Sequence, residues 1–105
     1  VFDSTMVATR PIGVGRKIEI VAAYETLSET HWNAPHIEPN FTPNWVIDIT
    51  EHIGIKLEAL KCYKSQITDF PSPRSIEAAE ALAKFRGTQA GFGFGEGMHI
   101  IRKIS

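Results

Sequence analysis

A second cysteine is missing from this 105-residue sequence: Cys62 stands alone. No internal disulfide can therefore form, and the chain is expected in a reducing, cytoplasmic compartment. No apolar run approaches the ~20 residues that a bilayer-spanning helix needs, and no signal-peptide pattern opens the sequence. Neither sign of charge is in excess: 11 Lys and Arg stand against 12 Asp and Glu, a formal net charge of -1. The basic residues are scattered, so nothing electrostatic points to nucleic acid or to an anionic membrane. Internal repeats and domain boundaries are absent too.

What remains is ordinary for one small globular domain, with 43% hydrophobic and 22% charged residues. At this length a complete fold buries roughly two-thirds of its unfolded surface. Phe2 and Met6 lie four apart, with Val7 beside them, and predict a short helix that Arg10-Pro11 ends. Residues 17–24 alternate as a strand, with Ile18, Ile20, Ala22 and Tyr24 on one face and Lys17, Glu19, Val21 and Ala23 on the other. Residues 27–44, with Pro35, Pro39 and Pro43, form a long irregular loop. A short strand over Trp45–Ile49 follows. Thr50 is placed to cap a second helix whose apolar spacing runs through Ile53, Leu57, Leu60 and Ile67, while Lys56, Glu58 and Lys61 take the opposite face. Ser72-Pro73 suits the start of a third helix with a stripe of Ile76, Ala79, Leu82 and Ala83, and Gly87 suits its end. Met98 to Ile104 completes the pattern as a last strand. Strand, helices and strand in this order predict an α/β layer.

The first residues, Val1-Phe2-Asp3-Ser4, read as the middle of a helix with no capping residue ahead of them. That reading predicts a fragment. A partial sheet leaves an open edge and a bare apolar face, so the expected partner is a missing N-terminal half or another copy of the chain.

Individual motifs are weak. His31 and His36 fall in the loop, so no helix holds both rings on one face, and neither they nor His52 and His99 show a familiar metal-ligand spacing. The run Gly91-Phe92-Gly93-Phe94-Gly95-Glu96-Gly97 lacks the spacing of a dinucleotide loop, lacks a P-loop Lys and Ser, and precedes a strand. Cys62, mid-helix, has no basic neighbourhood that would activate it and reads as structural. Ser65 and Gln66 read as structural too, bonding nearby backbone where the second helix ends. Tyr24-Glu25 closes a strand, where α/β sheets bind ligands. These two residues either line a site or are a packed Tyr and a solvent-facing Glu. Trp32 could stack on a sugar face.

The order of the pieces carries more than any one of them. Ala23-Tyr24-Glu25-Thr26, Trp45-Val46-Ile47-Asp48-Ile49-Thr50, the stretch from Lys56 to Gln66, Arg86-Gly87 and Gly95-Glu96-Gly97 follow one another. Together they resemble the C-terminal half of PIG-L/LmbE-like N-deacetylases, from Pro11 to about Ile101. The resemblance implies the C-terminal part of a Rossmann-like three-layer α/β sandwich, with about three strands and two to three helices in one partial domain. It implies a zinc-dependent hydrolase that removes an N-acetyl group from an N-acetylglucosamine-type conjugate. In that family the zinc ligands and the general base come from motifs of the His-Pro-Asp-Asp-Glu and His-x-Asp-His types, which this sequence lacks. The chain alone is thus expected to bind no zinc and to be inactive, supplying sheet scaffold and pocket rim. The site residues implied are Tyr24, Glu25, Trp32, Phe94 and Glu96, none of them catalytic. Phe94-Gly95-Glu96-Gly97-Met98 occupies the family's aromatic–Ala–Glu–x–aromatic signature. Phe94 stands where many relatives carry tyrosine, and so lacks its hydroxyl.

Two other readings compete. A non-catalytic interaction module would use Trp32, Phe41, Trp45 and Phe92 as contact residues, since aromatic anchors are common at interfaces. A small enzyme would use His31, His36 and Glu25, although no spacing enforces their convergence.

Overall fold

In a computed structural model, which describes residues 1–27, 37 and 40–105, the chain forms a three-stranded antiparallel sheet and three α-helices. The elements run α1 (Phe2–Ala8), a 3-10 turn (Gly13–Lys17), β1 (Ile20–Tyr24), β2 (Trp45–Asp48), α2 (Ile53–Lys61), α3 (Ile76–Ala90) and β3 (Gly95–Lys103). The last strand lies in the middle, in the order β1-β3-β2. Tyr24 faces Met98 in the β1–β3 pair, and Trp45 faces the same Met98 from the other side. Helix α3 packs across β3 and β2, and α2 packs on α3.

The mixed α/β class is as expected from the sequence, and several boundaries differ. The strand expected over 17–24 begins only at Ile20, because residues 13–17 close a 3-10 turn instead. Its faces differ as well: Val21 is buried, whereas Ile20 and Tyr24 are exposed. A bulge accounts for part of this. Val21 pairs with Arg102 and Ala22 with Ile100, so Ile101 is an extra residue that shifts the register.

Thr50 does not cap α2. His52 holds that position, and Thr50 is tied elsewhere: its N–H and hydroxyl both donate to Asp48 Oδ1, at 3.0 and 2.6 Å. These two bonds hold the Asp48 carboxyl below the usual aspartate range. Helix α2 stops at Lys61 rather than near Ile67. Cys62 is therefore its exposed C-cap and not a mid-helix residue.

Helix α3 starts three residues later than expected. Ser75, not Ser72, is the N-cap, and its hydroxyl accepts from Ala78 N–H at 3.1 Å. Ser72 instead holds the preceding turn, accepting from Arg74 N–H. The helix also runs on past Gly87 to Ala90, where Gly91 ends it in the left-handed region at φ 79°. Gly87 is buried inside the helix, where it has a different use. A Cβ on it would lie 2.7 Å from the Phe92 carbonyl oxygen and 3.0 Å from the backbone of Phe94. A Cβ on Gly95 would lie 2.9 Å from Gly87 N. The two glycines let α3 lie backbone to backbone on the start of β3.

The buried apolar side chains among the described residues are few: Val21, Ile49 and Ala83. Helix α1 buries none of its residues. Its C-cap residue meets the sheet through Arg102, whose guanidinium donates to the Thr9 carbonyl. Among the described residues, no helix is long and apolar enough to cross a membrane.

Candidate functional site

Two charged residues sit on faces that the helical spacing marks as apolar. Lys56 lies three residues after Ile53 and four before Leu60; Arg86 lies four after Leu82 and three after Ala83. A cation on an apolar stripe needs a partner to offset its desolvation. Both have one. Arg86 donates through Nε to Glu25 Oε1 at 2.7 Å and through Nη2 to Glu25 Oε2 at 2.6 Å. This bidentate pair is nearly buried, at 12% and 7% side-chain exposure. The Glu25 carboxylate holds the Arg86 guanidinium in its charged form more firmly than usual. The third guanidinium arm, Nη1, donates to Gln89. Lys56 Nζ donates to Glu96 Oε1 at 2.9 Å, and that pair is about one-third exposed, at 35% and 33%.

The strands set these geometries. Glu25 follows the last residue of β1, and its N–H donates to the Gly97 carbonyl, prolonging the β1–β3 ladder by one rung. Gly97 is also why the Glu25–Arg86 pair fits. A Cβ there would stand 3.1 Å from Glu25 Oε1 and 3.4 Å from Arg86 Nε. Two glycines thus flank Glu96, one for the helix backbone and one for the ion pair.

Both ion pairs border a cavity of about 420 Å³ between α2, α3 and the neighbouring ends of β1 and β3. Its apolar wall comes from Leu27, Leu60, Ile67, Ala79, Leu82 and Ala83. Its polar wall adds Tyr24, Tyr63, Gln66 and Arg74 to the two pairs. Gln66 Oε1 accepts from Arg74 Nη1 at 2.9 Å, a bond that orders the chain between α2 and α3. Gln66 is not the local backbone-bonding residue that the sequence suggests.

Of the residues that the sequence singled out, Tyr24, Glu25 and Glu96 line this cavity together. Phe94 does not: its N–H donates to Thr50 Oγ1 and its carbonyl accepts from Ile49 N–H, on the β2 side of the strand. Trp32, His31 and His36 lie outside the described residues. Glu25 is committed to Arg86. Phe41, Trp45 and Phe92 are half-buried rather than displayed. His99 Nδ1 is 2.8 Å from the Thr42 carbonyl, and His52 heads α2. Among the described residues, no group of three or more His, Cys, Asp or Glu side chains could hold a metal ion.

Lys56, Arg86 and Gln66 stand in the motifs named from the sequence, but none was read as lining a site, and Arg74 was not singled out at all. Lys56 corrects the reading that put it with Glu58 and Lys61 opposite the apolar stripe: it lies one helical turn after Ile53 and borders the cavity beside Leu60, and Arg86 keeps the same kind of register with Leu82 and Ala83. For Gln66 and Arg74 no such register exists, because their meeting depends on the turn between the helices. In comparisons with known proteins, no family model and no curated protein matches this sequence.

Proposed function

We propose that this chain is the C-terminal part of a Rossmann-like PIG-L/LmbE-like zinc-dependent N-deacetylase. It would act on N-acetylglucosamine-type conjugates and contribute sheet scaffold and substrate-pocket rim. The observation that supports the reading is the convergence of Tyr24, Glu25 and Glu96 on one cavity. Ordered motifs single out those positions, and nothing in the sequence separation of Glu96 from the adjacent Tyr24 and Glu25 requires them to meet.

Zinc, in enzymes of this kind, polarises the amide carbonyl and acidifies bound water. Among the described residues no group of side chains fits a zinc site, and the tasks proposed for those lining the cavity are binding and orientation. Tyr24 is 68% exposed at the cavity and carries a hydroxyl able to donate to or accept from a sugar oxygen. Glu96 uses Oε1 for Lys56, which leaves Oε2 for a substrate hydroxyl. Glu25, clamped by Arg86, fixes the wall beside them.

The test is deacetylation of methyl N-acetylglucosaminide by the full gene product and by the isolated 105 residues, read as free amine. Zinc-dependent release by the full product and none by the isolated chain is expected. Hydrolysis by the isolated chain would overturn the proposal. So would a gene whose reading frame holds no His-Pro-Asp-Asp-type motif upstream.

A further inference from the structure

The cavity is poorly built for a sugar. Every hydroxyl that leaves water needs a partner, and apart from the exposed Tyr24 and Tyr63 hydroxyls and Glu96 Oε2, most polar side chains around this cavity already bond one another. All three guanidinium nitrogens of Arg86 donate to Glu25 or Gln89. Lys56 is held by Glu96, Gln66 accepts from Arg74, and Ser75 caps α3. Among the described residues, no buried side-chain nitrogen or oxygen lacks a partner. The remaining wall is aliphatic. At about 420 Å³ the space is well above the roughly 150 Å³ apolar cavity that admits benzene. It also falls within the ~300–1,000 Å³ of small-molecule sites. The groups that still face water are at its opening: the Tyr24 and Tyr63 rings, 68% and 64% exposed, and the Lys56–Glu96 pair.

We infer that this cavity is a subsite for an apolar group, the aliphatic or aromatic aglycone of the conjugate, with the sugar held outside it by Tyr24 and Glu96. The inference rests on the N-acetylglucosaminide reading above and narrows it to amphiphilic substrates. The ion pairs serve as the boundary. They satisfy their own charges, so an apolar group can pass without stranding a buried polar atom.

The experiment titrates the full gene product with methyl, butyl and octyl N-acetylglucosaminides and with octyl glucoside, all below their micelle concentrations. Affinity is expected to rise roughly fourfold per methylene until the cavity is full. Ala79→Phe, which fills the cavity from α3, is expected to abolish that chain-length dependence, as is the milder Ala79→Leu in part. An affinity independent of chain length overturns the subsite. So does a dependence unchanged in both variants once thermal melts show them folded. Equal binding of octyl glucoside and octyl N-acetylglucosaminide keeps the subsite and defeats the N-acetylglucosaminide reading. Deacetylation of all three glycosides with one KM does the reverse.

Discussion

Arg86 and Glu25 show how a single pair can organise a site. Their side chains are nearly out of water and bonded at two points, so removing one partner leaves the other desolvated and uncompensated. Arg86→Met is expected to destabilise the protein by about 3 kcal/mol, whereas the double change with Glu25→Leu recovers most of that loss. Urea unfolding measures both; a double variant no more stable than Arg86→Met would show that packing around the pair, rather than stranded charge, sets the cost. Asp48 gives the opposite case, a fully exposed carboxylate fixed by two bonds to Thr50. Its folded-state pKa lies below its unfolded one. Its contribution is therefore complete above the ordinary aspartate range and is lost as pH falls through the lowered folded value. NMR titration should find the Asp48 midpoint below the ordinary aspartate value, and Asp48→Asn should remove that portion of the acid dependence. An Asp48 midpoint at the ordinary value would refute the turn as described.

At the scale of the elements, the same substitution is expected to have opposite signs in two helices. Gly54→Ala in α2 meets nothing within 4 Å and gains helix propensity, about 0.5–1 kcal/mol. Gly87→Ala in α3 gains the same propensity but drives a Cβ to 2.7 Å from the Phe92 carbonyl oxygen, and overpacking of this kind costs about 1–3 kcal/mol. It should therefore be net destabilising, and thermal melts of the two variants that moved in the same direction would contradict the backbone-to-backbone seat of α3 on β3. Gly87 also shows what the sequence could and could not disclose. Hydrophobic spacing, a local property, located each α-helix and strand among the described residues, although the 3-10 turn was missed and β3 begins at Gly95 rather than at Met98. It placed the end of α3 at Gly87, because glycine after a basic turn usually marks a C′ position. The true stop is Gly91, and Gly87 is there for contact with residues that tertiary folding brings close. Thr50 and Ser72 misled in the same way: each is a good cap by type, and each is bonded instead to a neighbouring turn. The candidate site was half legible. Tyr24, Glu25 and Glu96 stand in the motifs named from the sequence, whereas Lys56, assigned there to the polar face, borders the cavity with Arg86. The Gln66–Arg74 bond follows from the path of the turn between α2 and α3, which no spacing encodes.

At the scale of the whole molecule, the chain exposes more than its size requires. Its accessible surface is 7750 Å², against about 5,900 Å² for a folded monomer of this mass. Its radius of gyration is 15.7 Å, against about 12.9 Å for a compact domain of this length. The excess of about 1,900 Å² is more than twice the ~800 Å² that each partner commits to a standard interface. Much of what is open is apolar: Phe2, Val7, Ile12 and Val14 around α1, Ile55 on α2, and Phe85 on α3 are all more than half exposed. Among the described residues, both outer strands, β1 and β2, pair with β3 alone and so keep one unpaired side each. An apolar surface of this extent is stabilised by covering it, and the chain's net charge of -1 offers little repulsion against association. Purified alone, the 105 residues are expected to self-associate at micromolar concentrations and to bind hydrophobic dyes. Co-expression with the segment encoded upstream, where the gene has one, should yield a discrete complex that no longer does either. Sedimentation velocity separates the outcomes, and a compact monomer that unfolds cooperatively without any partner would show that these faces need no cover.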